Sequence, residues 1–83
     1  MKKILVIVVC LVLASCSSEF KIVSEDVPPV VASAFSNKYP SAKDVEWEAE
    51  KTNGHLAFEA GFKLDGKSKE AYFTPDGQFL KEE

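Results

Sequence analysis

Few side chains in this chain could do chemistry. His55 is the only histidine, and Cys10 and Cys16 are the only cysteines. A nucleophile needs a base within hydrogen-bond reach, and a zinc site needs three or four N or S ligands. A single histidine beside an Asn53-Gly54 turn supplies neither. Asp65-Gly66-Lys67 and Asp76-Gly77 set acids next to glycines, but without the alternating Asp/Asn ligands of a calcium loop, and they read as turns. There is no glycine-rich phosphate loop. The reading is therefore of a protein that is not an enzyme, with no catalytic residue, cofactor or metal. What remains is charge. Glu46, Glu48, Glu50, Glu59, Glu70 and Tyr72 recur at the two-residue spacing that places side chains on one side of a sheet. Such a face is either simply solvated or kept acidic to meet a basic partner, since complementary charge speeds and selects encounter. A divalent cation is a third use, set aside because carboxylates on a flat sheet seldom converge to six ligands.

The elements that must carry this face follow from the apolar pattern. Val45, Trp47 and Ala49 alternate with Asp44, Glu46, Glu48 and Glu50. Asn53-Gly54 then supplies the two positive-φ positions of a type I′ hairpin turn. Leu56, Phe58, Ala60, Phe62 and Leu64 make a second alternating strand, and Asp65-Gly66 turns the chain into a third containing Glu70, Ala71, Tyr72 and Phe73. Pro75-Asp76-Gly77 leads to a last strand at 78–81. Two-residue turns pair Thr52 with His55, Ala49 with Phe58, Trp47 with Ala60 and Val45 with Phe62. The next hairpin pairs Leu64 with Lys67, Ala60 with Ala71 and Phe58 with Phe73. Both registers send the apolar residues to one face, as a half-buried sheet requires. They also set Glu48 opposite Glu59, a like-charge pair that is destabilising by up to about 1 kcal/mol. At the final turn a three-residue loop puts Phe79 on the apolar face, and a two-residue loop puts Leu80 there.

A helix must cover that face. Val27, Val30, Val31, Ala34, Phe35 and Tyr39 recur at three- and four-residue spacing. Glu25 and Asp26 suit the positive end of a helix, Pro28 is tolerated in its first turn, and Pro40 stops it. Residues 17–24 read as a polar tether, with Phe20, Ile22 and Val23 offering an edge strand as the alternative. The predicted fold class is α+β, one N-terminal helix packed on a four-stranded antiparallel meander.

Ahead of this domain, Lys2 and Lys3 precede an apolar run over 4–13, then Ala14, Ser15 and Cys16. A cationic start, a short apolar segment and small residues make a secretory signal. About ten residues at 1.5 Å rise span roughly half a bilayer core, too little for a lasting transmembrane helix. Leu13-Ala14-Ser15-Cys16 resembles the lipobox of bacterial lipoproteins. That resemblance implies lipidation of Cys16, cleavage between Ser15 and Cys16, and attachment to a membrane through acyl chains. Ser17 lacks the aspartate that retains such proteins at an inner membrane, which favours the outer membrane facing the periplasm. The division is then 1–15 signal peptide, 16–24 lipidated Cys and tether, and 25–83 domain.

Removing the first 15 of 83 residues leaves one small domain, of a size that buries only about 60 % of its unfolded surface. The leader holds two of ten basic and none of thirteen acidic residues, so the mature charge is −5 against −3 for the whole chain. An acidic domain without a basic stripe argues against nucleic acid as a partner and against electrostatic adhesion to anionic lipid. With both cysteines spent, no disulfide is expected and packing alone must hold the fold.

Val27-Pro28, Phe35, Tyr39-Pro40, Val45-Glu46-Trp47-Glu48, Tyr72-Phe73 and Asp76-Gly77 together resemble the PepSY-like domains of exported bacterial proteins, which are similar in fold to the repeat of the β-lactamase inhibitor protein. The likeness covers roughly 24–82. It implies a helix on an antiparallel sheet and a non-catalytic role, binding or inhibiting a protease or other envelope protein. The alternative expectation is a structural lipoprotein that self-associates, as a homodimer, through an exposed edge strand.

Overall fold

The computed structural model describes residues 17–83. The expected signal peptide, the Ser15/Cys16 cleavage site and the lipidation of Cys16 lie outside the described residues. Five strands form one antiparallel sheet in chain order: β1 (Ser17–Ile22), β2 (Lys43–Thr52), β3 (His55–Leu64), β4 (Lys67–Phe73) and β5 (Phe79–Glu82). One helix, α1 (Pro29–Lys38), lies across one face. The fold is α+β, but with five strands where four were expected. The correction is residues 17–22, which form an edge strand rather than a tether. Phe20 pairs with Ala49 and Ile22 with Trp47, so the short apolar alternation of this segment extends the core face by one strand. Among the described residues no helix is long and apolar enough to cross a membrane.

The hairpins follow the expected registers. Asn53 and Gly54 have φ of 52° and 80°, and Asp65 and Gly66 have 53° and 79°, both as type I′ turns require. Trp47 pairs with Ala60, Ala49 with Phe58, Ala60 with Ala71 and Phe58 with Phe73. Val45 departs from expectation. Lys43 pairs with Lys63 and Glu46 with Gly61, so Asp44 and Val45 together oppose Phe62 in a β-bulge. Asp44 takes φ 54°, a left-handed conformation its short polar side chain tolerates, and Val45 is left exposed instead of joining the core face. At the other end, Thr74 N–H donates to Gln78 C=O at 2.8 Å across a three-residue loop. Phe79 then lies on the core face, its ring 5.8 Å from that of Phe73.

The helix begins later than its charge pattern suggests. Val27 and Pro28 each precede a proline and are driven to extended angles, with ψ of 131° and 136°. Glu25 and Asp26 therefore sit in a separate 3₁₀ turn, and Pro29 opens α1. Tyr39 caps the other end, donating its N–H to Phe35 C=O at 2.8 Å before Pro40. Val31, Phe35 and Tyr39 are buried while Val30 is half exposed, packed instead beside Gly77. A Cβ at Gly77 would come within 3.0 Å of both Val30 Cγ2 and Val30 O, and Gly77 has φ 89°. Two requirements thus hold glycine there: a left-handed turn and a close approach to the helix.

Phe35 is the centre of the core. Its ring lies 5.3 Å from Trp47 and 5.1 Å from Phe62 in edge-to-face contact, 5.5 Å from Tyr39, and 6.3 Å from Phe73. Such pairs add about 0.5–1.5 kcal/mol each beyond area burial. The fully buried pair Ala60–Ala71 lies among these rings. Tyr39 is buried but its Oη donates to Glu82 Oε1 at 2.5 Å, and Lys69 Nζ reaches the other oxygen at 3.2 Å. This fastens the C-terminal strand to the helix. Burial, then the Glu82 carboxylate, push the Tyr39 phenol up to about 12, while the Tyr39 hydrogen bond holds Glu82 below its usual range.

Candidate functional site

The side of the sheet away from α1 is built by the residues alternating with the core. The pairing aligns them in rows across the sheet, with bulges at Asp44–Val45 of β2 and at Leu80 of β5. The central row runs Lys21, Glu48, Glu59, Tyr72, Lys81, one residue from each strand. To one side Glu19 faces Glu50, which faces Ala57. To the other, Glu46 faces Gly61, which faces Glu70, and the Glu70 and Glu83 backbones exchange hydrogen bonds of 2.8 and 2.7 Å. All six residues expected on this face, Glu46, Glu48, Glu50, Glu59, Glu70 and Tyr72, are therefore on it. Gly61 carries no side chain, and a hollow of about 490 Å³ lies over it, walled by Glu46, Lys63, Glu70 and Glu83.

Glu59 differs from its neighbours. It is 6 % exposed, the one charged residue buried among the described residues, and its Oε1 accepts no hydrogen bond. Burial favours the neutral acid, and the Glu70, Glu19 and Glu48 carboxylates oppose its ionisation further, so its pKa is pushed up to about 8. Glu59 is then mostly a carboxylic acid at neutral pH. Tyr72, also buried, donates weakly to Glu70 Oε1 at 3.3 Å and Glu83 Oε1 at 3.4 Å. Burial first, and then the surrounding glutamates, raise its phenol well above the ordinary range. Lys81 Nζ sits 4.7 Å from the Tyr72 ring centre and pairs with Glu83 at 2.8 Å. That hydrogen bond raises Lys81 and lowers Glu83.

One residue of this cluster was missed. Glu19 lies on β1, and one carboxylate oxygen each from Glu19, Glu48 and Glu59 fall within 4.8 Å of one another. Reading 17–24 as a tether removed Glu19 from the sheet. The alternation of Glu19 and Lys21 with Phe20 and Ile22 was the available signal. His55 is exposed beside its turn, at the rim of a second hollow bordered by Leu56, Tyr72 and Leu80. Asp65-Gly66 and Asp76-Gly77 are turns, and the Asp76 carboxylate accepts a hydrogen bond from the Thr74 hydroxyl. The arrangement can attract cations or cationic groups, and it can hold a proton on Glu59.

Compared with family models, with curated proteins and with solved structures, the chain matches none of them.

Proposed function

We propose that the protein is a lipid-anchored, non-catalytic binding module of the cell envelope, inhibiting or regulating a protease or other envelope protein through its acidic sheet face. In this reading the domain is PepSY-like, held by acyl chains on Cys16 at the outer membrane and facing the periplasm. The observation that carries it is the open face itself. Glu19, Glu46, Glu48, Glu50, Glu59, Glu70 and Glu83 lie on the side the helix leaves uncovered, against Lys21, Lys43, Lys63 and Lys81. Like charges across strands cost stability, so a face that keeps them is best explained by a partner that uses them. The test is capture from envelope extract by the full chain and by a Glu46→Lys/Glu50→Lys variant, which reverses exposed or half-exposed charges and spares buried Glu59. A partner held by the wild type and lost by the variant supports the reading, and equal capture by both defeats it.

Self-association as a structural lipoprotein is favoured by a different observation: among the described residues β1 and β5 are the two edges of the sheet, and β5 is exposed along its length. Exposed edges are templates for pairing with another strand. A sedimenting monomer at high concentration would dispose of this alternative.

A further inference from the structure

Glu59 is not explained by partner binding. At 6 % exposure it offers a partner almost no surface, and its Oε1 is fully enclosed with no hydrogen-bond donor. Buried carboxylates are normally matched by an N–H, an arginine or a lysine, because an unmatched one carries the whole desolvation cost. The ion pairs among the described residues are Lys69–Glu82 and Lys81–Glu83, and neither involves this cluster. Glu59 is surrounded instead by more carboxylates: Glu70 acts on it most strongly, and Glu48 directly across on β2 and Glu19 on β1 each bring one oxygen within 4.8 Å of one of its own and of each other.

We propose that Glu19, Glu48 and Glu59 form a binding site for a divalent cation of calcium's size. Oxygens bound to calcium lie about 2.3–2.6 Å from it, so two of them can be as much as roughly 4.6–5.2 Å apart. The three oxygens, all within 4.8 Å of one another, are close enough to share one such ion. Magnesium, with bonds of about 2.0–2.1 Å, demands near-octahedral geometry and keeps several of its waters, so three carboxylates from three strands suit calcium better. Glu19 is exposed and Glu48 half-buried, so water has access to complete the coordination from the solvent side, while Glu59 closes the floor. The cation would turn the repulsion of Glu48 with Glu59 into shared ligation. It would also tie the edge strand β1 to β2 and β3, fastening the segment that leads out of the domain. This inference stands apart from partner binding, since it needs no basic protein.

The experiment is calcium titration of the full chain, stripped of metal, at about pH 8 and constant ionic strength. With affinity in the millimolar range of extracellular calcium modules, about 10 mM calcium should raise the melting temperature by roughly 5 °C. Amide exchange in β1 should slow at the same time. Glu19→Gln, an exposed change on an edge strand that leaves the core untouched, should abolish both responses, and so should Glu48→Gln. No calcium response in the wild type overturns the proposal. A response that magnesium reproduces at equal concentration, or that Glu19→Gln retains, is screening of the acidic face rather than ligation and overturns it equally.

Discussion

Residues 58–62 of β3 serve two different surfaces. Phe58, Ala60 and Phe62 point into a core roofed by α1, while Glu59 and Gly61 belong to the open side. Phe58, Ala60, Phe62 and Glu59 are nevertheless all buried. On the helix side burial comes from aromatic rings meeting at 5–6 Å, and each contact favours the folded state. On the open side it comes from the neighbouring strands' own glutamates and tyrosine, and it works against the charge it encloses. One face therefore holds the fold together, and the other carries a cost that the fold withstands. A face that costs stability is where function is most reasonably sought.

The contrast can be broken most severely at Phe35. Phe35→Ala removes the ring that touches Tyr39, Trp47, Phe62 and Phe73, and should cost about 3–5 kcal/mol by denaturant unfolding, most of what so small a domain has. Next is Gly77→Ala, which sets a Cβ against the Val30 backbone at a positive φ, at an expected cost of about 1–3 kcal/mol.

The open face should respond with the opposite sign, and to pH. Glu59 has a folded pKa of about 8 against an ordinary value of 4.5, so the native state keeps a proton that the unfolded chain releases between those values. Stability contributed by this group is full below about 4.5 and falls as pH climbs to about 8, the reverse of a salt-bridged acid. Thermal unfolding in chelator should show that decline, and Glu59→Gln should flatten it, gaining stability at high pH relative to the wild type but not at low pH. A wild-type profile without the decline would show that Glu59 ionises freely.

Tyr39→Phe loses only the hydrogen bond to Glu82 and should cost about 1 kcal/mol, releasing β5 from the helix end and raising exchange of its amides. The smallest effect is expected from Glu46→Gln with Glu50→Gln, within about 0.5 kcal/mol at moderate salt. If these two changes destabilised as Phe35→Ala does, the division between the faces would be wrong.

Much of this arrangement is legible in the chain. Alternating residues, Asn53-Gly54 and Asp65-Gly66 specify two hairpins whose registers agree, because a slip of one residue would turn every apolar side chain to water. The same logic places all six expected residues on the outer face. The ends of elements were harder to read. Two apolar residues in β1 are too short a pattern to separate a strand from a tether, and pairing with β2 decides it. The bulge at Asp44 and Val45 and the delayed start of α1 arise from backbone angles at single positions, which periodicity does not register.

Local turn chemistry and the burial of one face are enough to specify the two central hairpins, the two-faced sheet and the helix that covers one side, while the bulge at Asp44 and Val45 and the register of the last strand lie beyond them. Tertiary packing alone buries Glu59, leaves its Oε1 without a hydrogen bond, and brings Glu19 beside it and Glu48. Burial of a residue on an open face depends on neighbours contributed by other strands, and no spacing along one strand carries that information.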